Sequence, residues 1–183
     1  PLGVAEPVRD WVTGHVRTAT AERVVAVLDI AAEMWSLDQP PGEAFDIDIA
    51  FRDATVTLYP PFDPVTQGRG ELTVTGDSFE LNLESGRLGD LALSDGHVAI
   101  ESFAAKPPVL TTEFVTRGTI AETVASVLHD PIAAGVEGGG ALLGVGGTAA
   151  TRVRLNLPIH AGVSLEDTDF VANANLTREI GRA

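Results

Sequence analysis

Phe45-Asp46-Ile47-Asp48-Ile49-Ala50-Phe51-Arg52 is the stretch that decides the fold class. Its apolar residues hold the odd positions. Side chains of a strand point to opposite faces with period two, so this segment has one greasy face and one wetted face. The pattern recurs along the chain. Phe79, Leu81 and Leu83 interleave with Glu80, Asn82 and Glu84, and Val153, Leu155 and Leu157 interleave with Arg152, Arg154 and Asn156. Val24, Ala26, Leu28 and Ile30 share a face opposite Arg23, Asp29 and Glu33. The same alternation adds Val56 and Leu58, Leu72 and Val74, Leu91 and Leu93, and Val98 and Ile100 to the greasy set. What covers that face is the functional question. Covered by protein it is an ordinary core; uncovered, it is a trough for something apolar.

Composition narrows the answer. The 183 residues suit one domain, and 44% of them are hydrophobic, enough to sequester a large apolar surface. Only 5% are aromatic, so that surface is mainly aliphatic. A net charge of −14, from 12 basic and 26 acidic residues, argues against nucleic acid as a partner. It also argues against docking of this domain on anionic headgroups. With no cysteine there are no disulfides, thiol chemistry or thiolate-held metals. No apolar run approaches the roughly 18 residues of a membrane span, and no signal-peptide pattern opens the chain. The chain starts without Met and stops soon after the strand-like segment 170–177. It is therefore expected to be one piece of a longer protein, with any anchor or targeting signal elsewhere.

Along the chain the first element reads as a helix, with Pro7 in its first turn and Val8, Trp11, Val12 and Val16 at helical spacing. Trp11 reads as a plug for the end of a core. Candidate strands follow at 22–34, 44–51, 54–59, 69–75, 78–84, 90–94 and 97–103. Their short connections are Arg52-Asp53, Gly76-Asp77, Gly86 to Gly89 and Asp95-Gly96. Gly and Asp accept the positive φ of tight hairpins, so an antiparallel meander is expected. Tyr59-Pro60-Pro61-Phe62-Asp63-Pro64 interrupts it, because proline cannot continue a central ladder. A second helix is predicted over 119–129. Thr119 and Glu122 form its capping box, Ile120, Val124, Val127 and Leu128 its stripe, and Pro131 its stop. A glycine-rich loop spans 135–148, and strands resume at 151–158 and 168–177. The expected organisation is a helical segment over 1–18, a β module over 19–177 and a tail over 178–183.

Catalysis finds no foothold. The loop with Gly138-Gly139-Gly140 lacks the Lys-Ser/Thr of a phosphate cradle, and the chain's only lysine is Lys106. His15, His97, His129 and His160 have no metal-ligand spacing. His97 and Glu101 read as a surface pair, and Asp46 and Asp48 as a solvated outer face. No calcium loop or nucleophile elbow occurs, and Asn175-Leu176-Thr177 is a bare glycosylation sequon. Neither an enzyme nor a cofactor is expected.

From Pro7 to about Thr177 the order of features resembles the AsmA-like superfamily, in particular its YhdP-type members of Gram-negative envelopes. The resemblance rests on Arg9-Asp10-Trp11-Val12, then Tyr59 to Thr66 leading into Gly68-Arg69-Gly70-Glu71-Leu72-Thr73-Val74. Gly76-Asp77-Ser78-Phe79-Glu80-Leu81, Ser85-Gly86-Arg87-Leu88-Gly89, the capped helix after Gly118 and Leu155-Asn156-Leu157-Pro158 complete it. It implies a periplasmic protein, anchored in the inner membrane at full length, whose repeated β modules curl into a groove for phospholipid bound for the outer membrane. It implies no catalytic residue.

The fold expected is a mostly β, curved antiparallel meander forming an open hydrophobic groove, with two short helices. The greasy residues named above would line it, and phospholipid or another acyl-chain ligand would be the partner. About ten strands would make a trough of roughly 45–50 Å. The competing reading is a closed β-sandwich serving binding, adhesion or scaffolding. Edge-to-edge self-association is expected wherever strand edges are left open.

Overall fold

The computed structural model describes residues 13–29, 44–57, 63–128, 146–159 and 169–177. They form one eight-stranded antiparallel sheet in strict sequence order. The strands are β1 (Val16–Leu28), β2 (Phe45–Val56), β3 (Val65–Thr75), β4 (Phe79–Leu88), β5 (Leu91–Ile100), β6 (Val109–Thr119), β7 (Thr148–Pro158) and β8 (Asp169–Thr177). A helix, α1 (Ile120–Leu128), leaves β6 directly, and residues 13–15 are a helical turn ahead of β1. The sheet is curved and does not close: among the described residues, β1 and β8 each have a strand neighbour on one side only. A single open sheet excludes the two-sheet sandwich. Seven strand spacings of about 4.8 Å give roughly 34 Å across the sheet, shorter than the ten-strand expectation.

Two of the expected hairpins are not turns. Asp53 and Asp95 have φ of 53°, as turn residues would, but both lie inside continuous strands. Gln67 in β3 shares that φ. At each of the three the pairing register slips, between Phe51 and Ala54, Thr66 and Arg69, and Ser94 and His97. These are β-bulges, in which an extra residue enters one strand and bends it. The bulge also explains a feature of the sequence: the inward residues are odd up to Phe51 and Leu93, then even from Ala54 and Gly96.

Other boundaries differ. β1 begins at Val16, within the stretch expected to be helical, and β3 begins at Val65. β6 occupies a stretch to which the sequence reading assigns no element. Its inward positions include Thr112, Thr116 and Gly118, which dilute the alternation that marks a strand. The turn at Gly76-Asp77 is as expected. Thr75 N–H donates to Ser78 O at 3.0 Å, and the Thr75 hydroxyl accepts from the N–H groups of Asp77 and Ser78 at 3.2 and 3.0 Å. The capping box also forms: Thr119 N–H donates to Glu122 Oε2 at 2.7 Å, and Glu122 N–H to Thr119 Oγ1 at 3.1 Å. The expected helix stripe Val8–Val12, the Pro60-Pro61 interruption and most of the 135–148 loop lie outside the described residues.

Two clusters fill the concave side. Phe79, Ile100, Phe103, Leu110, Leu157 and Ile159 form one near the β5–β6 connection, where Phe103 N–H donates to Asp77 O at 2.7 Å. Val65, Leu93 and Phe114 form the second, with Leu83, Leu88 and Val153 packed against it. Beyond it Ile120 opens α1 and is 1% exposed.

Candidate functional site

Between and beside these clusters the concave face holds an apolar cavity of about 300 Å³. It draws its walls from β1 through β6, and among the described residues the polar ones at the wall are Thr112 and Glu113, whose carboxylate turns to the opposite face toward Arg152 and Arg154. The bulges make this possible. Without them, the odd-to-even switch would carry Val56 and Val98 to the outer surface. With them, Val56 and Val98 stay on the face that holds Phe51 and Leu93. The floor beneath Leu83 is built of glycine. A Cβ on Gly96 would lie 2.9 Å from Leu83 Cβ, and one on Gly68 would lie 3.4 Å from Leu83 Cδ1. Gly70 admits β4 even closer, since a Cβ there would sit 2.1 Å from Asn82 O.

Of the residues expected to line the groove, Ile49, Phe51, Val56, Leu72, Phe79, Leu81, Leu83, Leu93 and Val98 wall the cavity. Val24, Ala26 and Leu28 pair with Ile49, Ile47 and Phe45 at the β1 edge. Val74 pairs with Ile47, extending this apolar face into β3. Leu157, Leu155 and Val153 pair with Leu110, Thr112 and Phe114 in β6 and are not themselves wall residues. Phe45, Leu91, Ile100 and Leu157 are buried against protein rather than lining free space. Ile30 and Leu58 lie outside the described residues.

The wall also includes Val16, Ala19 and Ala21 of β1, Ala54, Val65 and the glycines, and Thr112 and Phe114 of β6. Ala54 lies on the even-numbered face of 54–58 expected to line the groove; sequence reading missed most of the others because it began β1 and β3 too late and did not recognise β6. The parity switch across Asp53 and Asp95 was the available signal: one extra residue between two alternating runs fits a bulge as well as a turn.

The cavity meets the β1 edge, where every strand residue is exposed, Val24 by 57% and Leu28 by 58%. The convex side is polar. Arg23 pairs with Glu71 at 3.2 Å, and Glu22 bridges Arg52 and Arg69 at 3.2 and 3.0 Å. Glu113 accepts from Arg154 Nε at 2.6 Å and from Arg152, and these two bonds hold its carboxyl below the ordinary carboxylate range. His97 Nδ1 lies 3.0 Å from Asn82 Oδ1 and 3.8 Å from Glu80 Oε1, a surface cluster across β4 and β5. Asp48 accepts from Thr73 Oγ1 at 2.7 Å. Among the described residues, no group of His, Asp and Glu is placed to hold a metal ion. The concave surface therefore offers apolar burial, and the convex surface offers hydration.

No family model, curated protein or solved structure matches the chain.

Proposed function

We propose that this domain shelters the hydrocarbon part of a lipid on its concave face, as one module of a protein that moves lipid through an envelope compartment. The observation that carries the reading is the apolar cavity reaching an open sheet edge. Each CH₂ kept from water contributes about 0.8 kcal/mol, and an aliphatic wall gives nearly the same gain at successive positions along a chain. Such a wall holds an acyl chain without fixing its place, which suits passage more than tight storage. The hydrated convex face, with its ion pairs, keeps the shell in water. The likeness to AsmA-like proteins supports a periplasmic setting and phospholipid as the cargo. In this reading the domain is non-catalytic and needs no cofactor.

The test is native mass spectrometry of the purified domain, with extraction and identification of lipid from the same sample. Co-purified phospholipid is expected. Leu81→Asp, which places a carboxylate in the cavity wall, is expected to abolish uptake, and Ile47→Asp on the same face to weaken it. Glu80→Ala on the outer face is expected to leave uptake unchanged. Circular dichroism must match wild type for each variant. Uptake retained by a folded Leu81→Asp protein would overturn the reading.

A further inference from the structure

Independently of the lipid reading, we infer that the β8 edge joins two copies of this chain, β8 pairing antiparallel with β8 of the second copy about a two-fold axis at Asn173. The two outer strands of the sheet differ. β1 carries Arg17, Glu22 and Arg23, and it pairs with β2 through register shifts between Val16 and Thr18, Thr18 and Thr20, and Ala21 and Arg23. Charges and bulges of this kind keep an edge from accepting another strand. β8 has almost none of that protection. Its pairing with β7 runs without a shift from Thr177 opposite Thr148 to Asp169 opposite Asn156. It holds no proline, and its one charge is Asp169 at the very start. All nine of its residues are exposed, and among the described residues it has no second strand neighbour.

The sequence of β8 then selects the occupant. Asp169-Phe170-Val171-Ala172-Asn173-Ala174-Asn175-Leu176-Thr177 reads much the same in reverse about Asn173. Directly opposed residues of an antiparallel pair share a face. On the concave face Phe170 meets Leu176 of the second copy and Ala172 meets Ala174, large against large and small against small. On the convex face Asn173 meets Asn173, whose amides both donate and accept, while Val171 meets Asn175 and Asp169 meets Thr177. The last is a pair that this sheet already uses: Thr73 Oγ1 donates to Asp48, its cross-strand partner, at 2.7 Å. A two-fold joint needs such self-complementarity. Charge points the same way. Two chains of −14 each repel, and residues 170–177 are a charge-free strip along which they can approach. No residue of β8 belongs to the cavity wall. One strand pair is small beside the roughly 1,200–2,000 Å² of stable interfaces, so the dimer is reversible, with a Kd on the order of 10–100 μM.

The chain has no cysteine, so introduced cysteines report the register directly. Opposed residues of an antiparallel pair have Cα atoms about 4.5–5.5 Å apart, within reach of a disulfide. Under mild oxidation of the domain, Asn173→Cys is expected to form a covalent dimer about tenfold faster than Val25→Cys, an exposed position on the β1 edge. Val171→Cys alone is expected to behave like Val25→Cys, because its two copies lie four residues apart along the strands, about 13 Å. An equimolar mixture of Val171→Cys and Asn175→Cys is expected to cross-link as Asn173→Cys does. Sedimentation equilibrium of the unsubstituted domain is expected to show a monomer–dimer equilibrium. A monomer throughout the micromolar range would overturn the inference. Equal cross-linking by Asn173→Cys and Val171→Cys would overturn the two-fold register, and equal cross-linking by Val25→Cys would overturn the choice of edge.

Discussion

The same alternation gives opposite outcomes at the edge and in the middle of this sheet. On β1, Val24 and Leu28 face the concave side and are more than half exposed; on β5 and β6, Ile100 and Leu110 face that side and are 1% exposed. Nothing in the local pattern separates them. The central strands have sheet on both flanks, and the connection carrying Phe103, with Ile159 beyond β7, packs against their apolar face. Among the described residues, β1 has a neighbour on one flank only. Alternation therefore sets which way a side chain points, and position in the curved sheet sets whether protein covers it.

The sharpest way to break this comparison is a pair of truncations. Leu110→Ala is expected to cost about 2–5 kcal/mol, because it removes a fully buried side chain and leaves a cavity. Leu28→Ala, which deletes the same atoms at the edge, is expected to stay within about 0.5 kcal/mol of wild type. Urea denaturation followed by circular dichroism measures both, and similar costs would mean that the edge is covered in solution.

A second pair sharpens the account of the bulged centre. Gly70→Ala forces a Cβ to within 2.1 Å of Asn82 O, and backbone yields poorly. Overpacking of this kind is expected to cost about 1–3 kcal/mol. At Gly86 a Cβ would meet nothing closer than 3.4 Å, so Gly86→Ala is expected to be tolerated. Equal denaturation midpoints for the two variants would mean that the close approach of β3 to β4 relaxes freely.

The smallest effect concerns α1 at the end of the sheet. Thr119→Ala removes the capping hydroxyl and is expected to cost about 1 kcal/mol. The hydrogen bond from Thr119 N–H, and then one from the Thr119 hydroxyl, hold the Glu122 carboxyl below the ordinary range. With the folded value depressed, the stabilisation from Glu122 is present above the unfolded carboxylate's range and is lost as pH falls through the folded value. Acid titration of wild type against Glu122→Gln should therefore show the stability difference shrinking at low pH. A difference constant through that range would break the assignment.

Much of the site was legible in the residues. The strand faces around Ile47, Leu81 and Leu155, the turn at Gly76-Asp77 and the capping box are local, set by side-chain period and short-range hydrogen bonding. β6 was not legible, since its buried threonines make a strand look like a polar loop.

By itself the sequence determined an antiparallel sheet with one apolar face, because period-two alternation with Gly and Asp punctuation fits little else. Tertiary structure alone decided that Asp53 and Asp95 bend strands instead of ending them, since a positive φ serves a bulge and a turn alike. Tertiary structure also decided that the apolar face closes over the central strands and stays open along β1. Coverage depends on which segments, distant along the chain, pack across a curved sheet, and alternation within one strand carries no record of that.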